Sequence, residues 1–158
     1  FGSLGNGLWI SPHDVVARVR EVAGELGVLD DVEVFRGDHV APGPESQLVH
    51  HCWDLAALNA EYEAFIDRHL DECRGLDAEP GSMAPREAYV RRFNLVHEYR
   101  EFPLKDPFLP PALQPEDWAG ECALSLFNYY RGLLAEPADR FVEPLVETPA
   151  DRIAPVST

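Results

Sequence analysis

Apolar residues up to about residue 40 come in short runs broken by turn signals, whereas from residue 54 onward they recur every three or four positions. The first pattern predicts strands around one helix. Gly5-Asn6-Gly7 carries the Asn-Gly signal of a tight hairpin, whose residues take positive φ, and Leu8-Trp9-Ile10 forms its second strand. Ser11 is placed to cap the next helix, with Pro12 at its first position and Asp14 near its positive end. Val15, Val19, Val22 and Leu26 then mark one helical face, Gly27 closes it, and Val32-Glu33-Val34-Phe35 reads as a further strand. These pieces form the last two-thirds of a βαββαβ ferredoxin-like unit whose opening strand and helix are not in the chain. The expected fold class is therefore α+β, a partial ferredoxin-like domain followed by an all-α helical domain.

The second pattern is helical throughout. A Pro/Gly-containing joint over 41–50 leads to Asp54, a helix cap, and to a face of Leu55, Leu58, Tyr62, Phe65 and His69 running to about Gly75. A third helix spans about Pro85 to Phe102. Five prolines between Pro103 and Pro115 then predict an extended strap. A fourth helix starts near Trp118, with Cys122, Leu126, Tyr129 and Leu133 on one face and Ala123, Phe127, Tyr130 and Leu134 on the next. A short helix follows Pro137 and a loose tail begins at Thr148. The expected division is 1–42, 43–147 and 148–158.

Charge narrows the function. With 28 acidic and 13 basic residues the net charge is −15, and such a surface repels a phosphate backbone on average. No apolar run approaches the roughly 20 residues of a membrane span. Three widely spaced cysteines, Cys52, Cys73 and Cys122, suit a reducing cytoplasm better than a disulfide framework.

Few residues suggest chemistry. Gly2-Ser3-Leu4-Gly5-Asn6-Gly7 lacks the Lys-Ser/Thr and the following helix of a phosphate loop, and reads as a hairpin. His50-His51-Cys52 and the pair His69/Cys73 are hints of metal binding, but two convergent ligand pairs are missing, so no metal is expected. Ser11, His13 and Asp14 resemble a triad in composition alone. No catalytic residue and no cofactor is assigned.

The third helix is the most informative. Tyr89, Phe93 and Val96 form an apolar stripe that contains Arg100, with Arg92 at its edge and His97 on its other border. Arg91, Glu87, Glu98 and Glu101 project the opposite way, into solvent. A charge on a buried face demands a partner. Arg100 either pairs with an internal carboxylate such as Asp54 or Asp106, or lines a pocket for an anionic ligand. Trp53 and Trp118 stand at helix starts beside Asp54 and Asp117, as ring anchors with capping acids.

Several segments together resemble the PaaX family of bacterial regulators, which repress phenylacetic acid catabolism genes. They are Phe1 to Pro12, Val34-Phe-Arg-Gly-Asp38, Trp53-Asp-Leu, the Tyr62/Phe65 helix and Leu95-Val-His-Glu-Tyr-Arg100. The most specific is Asp106-Pro-Phe-Leu-Pro110 running on to Leu113, Pro115, Asp117-Trp118 and Gly120. The resemblance covers roughly residues 1 to 143 in order. His50-His51 departs from it.

The resemblance implies a winged helix that reads DNA, a ferredoxin-like middle domain and a helical C-terminal domain. The chain would then be a fragment holding the effector-sensing and dimerisation portion, touching DNA only through the missing N-terminal domain. It further implies a cytoplasmic homodimer, no membrane partner, and an acyl-CoA effector such as phenylacetyl-CoA. Arg92, His97 and Arg100 are the candidates for the anionic part of that ligand, with Tyr89 and Trp118 for its ring. Two other readings stand beside it. One is a metal-dependent nuclease of ferredoxin-like fold, whose acidic ligand on the first strand is missing here. The other is a dimerisation module without ligand.

Overall fold

The structure is a computed structural model that describes residues 1–38, 40 and 45–146, without the side chains of 45, 46 and 146. The tail from Thr148 and the 41–44 part of the joint lie outside the described residues. The chain falls into two compact units: residues 1–57 with 106–117, and residues 58–105 with 118–158.

The first unit opens with an antiparallel hairpin, β1 (Gly2–Gly5) and β2 (Leu8–Ile10). Its turn uses the expected residues, with φ of 85° at Gly5, 51° at Asn6 and 81° at Gly7. Gly2 is there for clearance: a Cβ would lie 2.6 Å from Cys52 Cβ and 2.7 Å from the Trp53 ring. Helix α1 (Val16–Glu25) starts later than Ser11 suggested, because the Ser11 hydroxyl accepts the His13 N–H instead (3.1 Å). Gly27, at φ 70°, ends the helix as its sequence implies.

The ferredoxin-like reading is overturned here. Among the described residues the sheet has two strands, and 32–35 joins no ladder. A strand exists only where its N–H and C=O groups meet a partner edge, and among the described residues this segment pairs with none. Phe35 remains 84% exposed, so its side chain gains nothing from burial either. The architecture is predominantly helical. The joint is corrected too, since Glu45–Cys52 forms α2 with Val49 buried. The 106–117 strap is pinned at its start: His13 Nε2 donates to the Pro107 carbonyl (2.9 Å), and Asp106 Oδ1 accepts the Phe108 N–H (2.6 Å).

The second unit is built from α3 (Leu55–Ala78), α4 (Pro85–Tyr99), the single turn α5 (Phe102–Lys105) and α6 (Gly120–Val146). Asp54 caps α3 by accepting the Ala57 N–H at 3.0 Å, and Pro85 occupies the first position of α4. Leu58, Tyr62 and Phe65 are buried as their spacing predicts, and Cys73 and Leu76 extend the face past Gly75. Helix α6 does not break at Pro137 but runs through it and through Pro144. Its core face is Ala123, Phe127, Tyr130, Leu134 and Ala138, while Cys122 and Tyr129 face solvent. The core is aromatic: Tyr62 stacks on Phe102 (4.2 Å), Tyr99 on Phe127 (4.0 Å), and Trp118 meets Tyr62 edge-on (5.4 Å).

The start of α6 is held against α3 by one buried amide. Asn59, 7% exposed, accepts the Ala119 N–H through Oδ1 at 2.7 Å. Next to it Gly120 is packed tightly, since a Cβ would sit 2.6 Å from Trp118 Nε1 and 3.3 Å from Tyr62. Gly132, by contrast, is exposed on the same helix with open space around it. Gly120→Ala should therefore lose about 1–3 kcal/mol through overpacking. Gly132→Ala should gain about 0.5–1 kcal/mol. Urea unfolding of the two variants, read side by side with the parent, checks both signs.

Candidate functional site

Rotation of α4 decides where the candidate residues lie. Ala88 and Leu95 are buried, and Tyr99 stacks in the core, so this line of the helix faces α3 and α6. The expected stripe is on the outside: Tyr89 is 40% exposed, Phe93 62% and Val96 40%. Of the residues assigned to solvent, Glu87 and Glu101 are exposed, but Glu98 and Arg91 reach across to α3. Glu98 binds Arg68 and accepts the His69 Nε2–H at 2.9 Å, while Arg91 Nε bonds Glu72 at 3.1 Å. Cross-helix charge pairs of this kind, on partly buried side chains, fix the register of α4 on α3.

The five candidates do not converge on one cavity. Arg92 pairs with Asp139 of α6 at 2.8 Å. Arg100 bridges its neighbour Glu101 at 3.5 Å, with both side chains exposed. His97 stacks parallel on Phe93 (6.2 Å), and Tyr89 leans on Phe141 (5.4 Å). Trp118 belongs to the core aromatic group at the start of α6. Tyr89 and Arg100, eleven residues apart on a helix rising about 1.5 Å per residue, are separated by roughly 16 Å. Tyr89, His97 and Arg100 do share one outer face, with Arg92 on its edge.

A pocket of about 80 Å³ lies elsewhere in the same unit, lined by Leu76, Pro80, Gly81, Met83, Leu133, Glu136 and Pro137. A dry cavity of about 150 Å³ is what holds a benzene ring, so this one is too small for an aromatic acyl group. Sequence reasoning missed it because it forms only where the α3–α4 turn meets α6.

The polar seam between α3, α4 and α6 was also missed. His69 is 14% exposed, and burial pushes its pKa below the ordinary 6.5; Arg68 and Arg91 act the same way and Glu72 opposes them. Tyr130, 1% exposed, has a hydroxyl without a hydrogen-bond partner among the described residues. The Glu72 carboxylate, close enough to help burial raise that phenol's pKa, is turned to Arg91. A legible signal existed: Arg68, His69 and Glu72 face one way on their helix, and Arg91 and Glu98 are spaced seven apart on theirs. Among the described residues no three His, Cys, Asp or Glu side chains group to hold a metal ion, and no helix is long and apolar enough to cross a membrane.

Comparison with known proteins decides the family. The model described as PaaX-like protein C-terminal domain matches residues 53–144, and that of the PaaX protein central Cas2-like domain matches 1–49. The chain belongs to the PaaX family. It is 35% identical over 152 residues to the transcriptional repressor PaaX of Escherichia coli (strain K12), covering 94% of this chain and 48% of that protein. The chain thus spans about half the length of its PaaX relative. The C-terminal match takes in α3, α4, α5 and nearly all of α6, so the polar seam and the outer face of α4 both lie within it.

Two outcomes follow from the seam. Because His69 has a lowered pKa in the fold, it stabilises the protein above its unfolded value of about 6.5. That contribution is lost as pH falls below this value. His69→Gln should flatten the drop in urea midpoint between about pH 7.5 and 5.5. Tyr130→Phe removes a buried hydroxyl that meets no well-formed hydrogen bond among the described residues, Glu72 being its nearest acidic neighbour, and should leave stability equal or raise it by about 1 kcal/mol in thermal unfolding.

Proposed function

We propose that this chain is the effector-sensing and pairing portion of a PaaX-type transcriptional repressor of phenylacetate catabolism genes. The carrying observation is that both PaaX family models match in order and together span nearly the whole described chain. The relative's name supplies repression, and a regulator rather than an enzyme is the reading that fits it. DNA is then read by a segment outside residues 1–158, in keeping with the net charge of −15. A repressor presenting two reading heads to two half-sites is a two-fold homodimer. Sensing is assigned to the helical part, residues 43–147.

The effector class is an acyl-CoA, with phenylacetyl-CoA the first choice. Its phosphates need a local cationic cluster on an acidic protein, and α4 carries Arg86, Arg91 and Arg92 with Arg100 capping its end. Arg100, His97 and Tyr89 share the outer face of α4 with Phe93 and Val96, which gives charge and apolar surface together. Arg92 reaches the same ligand by exchanging its surface pair with Asp139. Trp118 contributes by fixing the start of α6. Release from DNA requires that the ligand bind the DNA-competent and incompetent states unequally.

A thermal-shift series against CoA thioesters tests this. At a hundredfold excess over Kd the ligand should stabilise the fold by about 2.7 kcal/mol, a rise of several degrees. Arg100→Met keeps bulk and removes charge, so it should fold and lose most of the shift. A full shift in that variant would remove Arg100 from the site.

A further inference from the structure

We propose that the outer face of α4 is a self-pairing surface. A second copy of the chain lies antiparallel on it, across a two-fold axis at Phe93, and an anionic group closes each end. The observation is a palindrome of side chains on one exposed arc. Phe93 is the centre. Val90 and Val96 stand three residues to either side, Tyr89 and His97 four, and Arg86 and Arg100 seven. At 100° per residue all seven fall within about 120° of the helix circumference. All of them are exposed, with Phe93 at 62%, Val90 at 41% and Tyr89 and Val96 at 40%. The core line through Ala88, Leu95 and Tyr99 lies on a different side of the helix; within the stripe Tyr89 leans on Phe141 of α6 and Arg100 bridges Glu101, while Phe93, Val90 and Val96 stay largely open to solvent.

A two-fold interface requires that residue i meet j and j meet i. Any stripe turned over on itself satisfies that by symmetry; what is particular here is which residue types then face each other. Phe93 meets its own copy, valine meets valine, and the Tyr89 ring meets the His97 ring. This matching of apolar with apolar and ring with ring about one centre is what a second copy would offer.

The ends of the stripe carry the second argument. Pairing brings Arg86 of one copy beside Arg100 of the other, at both ends. Two guanidinium groups repel, whereas phosphate or carboxylate oxygens between them turn the repulsion into charge-assisted hydrogen bonds. Elsewhere the copies are acidic and repel each other. Helix α4 holds Arg86, Arg91 and Arg92 with Arg100 at its end, four of the 13 cationic residues, so it is where two copies approach at least cost. Seven side chains on one helix bury less than the roughly 800 Å² per partner of a standard interface. Pairing is therefore weak alone and adjustable by the anion. That the anion is a CoA thioester rests on the function proposed above; the pairing itself does not.

Sedimentation velocity of the whole chain, from about 5 to 500 µM, reads the pairing. It is run alone and with inorganic pyrophosphate, free CoA or phenylacetyl-CoA, while calorimetry reads thioester binding separately. The anions should raise the association constant at least ~10-fold. Phe93→Glu should lower it ~100-fold with the fold intact by circular dichroism, and Val90→Asn reports on the same seam. Arg86→Met with Arg100→Met should associate without any anion and no longer respond to one. A chain monomeric throughout, with and without the anions, overturns the proposal, as does a dimer indifferent to Phe93→Glu and Val90→Asn. If pyrophosphate drives pairing but the thioester does not bind, the pairing stands and the effector reading fails. Thioester binding that leaves association unchanged overturns the pairing and keeps the effector reading.

Discussion

Phe65 is 1% exposed at the middle of the helical unit, in edge contact with both Tyr99 (5.5 Å) and Phe102 (5.7 Å). Tyr99 passes the contact on to Phe127 and Phe102 passes it to Tyr62, so one ring on α3 links the end of α4, α5 and α6. Burying several aromatic side chains, typically about 150–250 Å² each, drives this packing. It also sets how far α4 is turned about its own axis. Once Tyr99 must reach Phe65 and Phe127, Leu95 and Ala88 follow it inward. Everything presented on the opposite side of α4 follows from that constraint.

The helices were legible wherever caps and a single apolar face agreed. Asp54 before Leu55, Pro85 at the head of α4 and the buried run through Phe65 all appear where periodicity places them. The outer face of α4 was misread because the helix carries apolar residues on two sides. The larger ones, Tyr89 and Phe93, are outside, whereas part of the core is built on Ala88, whose small side chain lets the helices approach closely. Hydrophobic periodicity weighs size and cannot see that a small residue is wanted at a close crossing. The charge pairs to α3 would have settled it. They become visible only when two helices are aligned with each other, which one-dimensional periodicity never does.

The first unit shows a different limit. Val32 to Phe35 alternates like a strand, yet a strand is a property of two segments and not of one. Local propensity without a neighbouring edge leaves the segment extended and outside any ladder. The hairpin succeeded because both its strands and its turn are adjacent in sequence, so nothing remote was needed. The same reasoning explains why the candidate ligand residues were individually well placed on a helix and still did not assemble into a pocket. Spacing along one helix defines a face, and a cavity needs a second wall.

At 27 residues α6 is about 40 Å long, nearly twice the length of α4. Its core contacts run from Ala123 to Ala138, and beyond that Leu145 is 65% exposed. Pro137 has no N–H to return to the Leu133 carbonyl, so the backbone ladder is interrupted close to where burial ends. The missing bond divides the helix's hydrogen-bond ladder into two stretches, the second held to α4 by Asp139 and Phe141. Amide exchange should spread inward from the C-terminal segment and halt at Pro137, leaving the Phe127 to Leu134 stretch to open only with the whole unit.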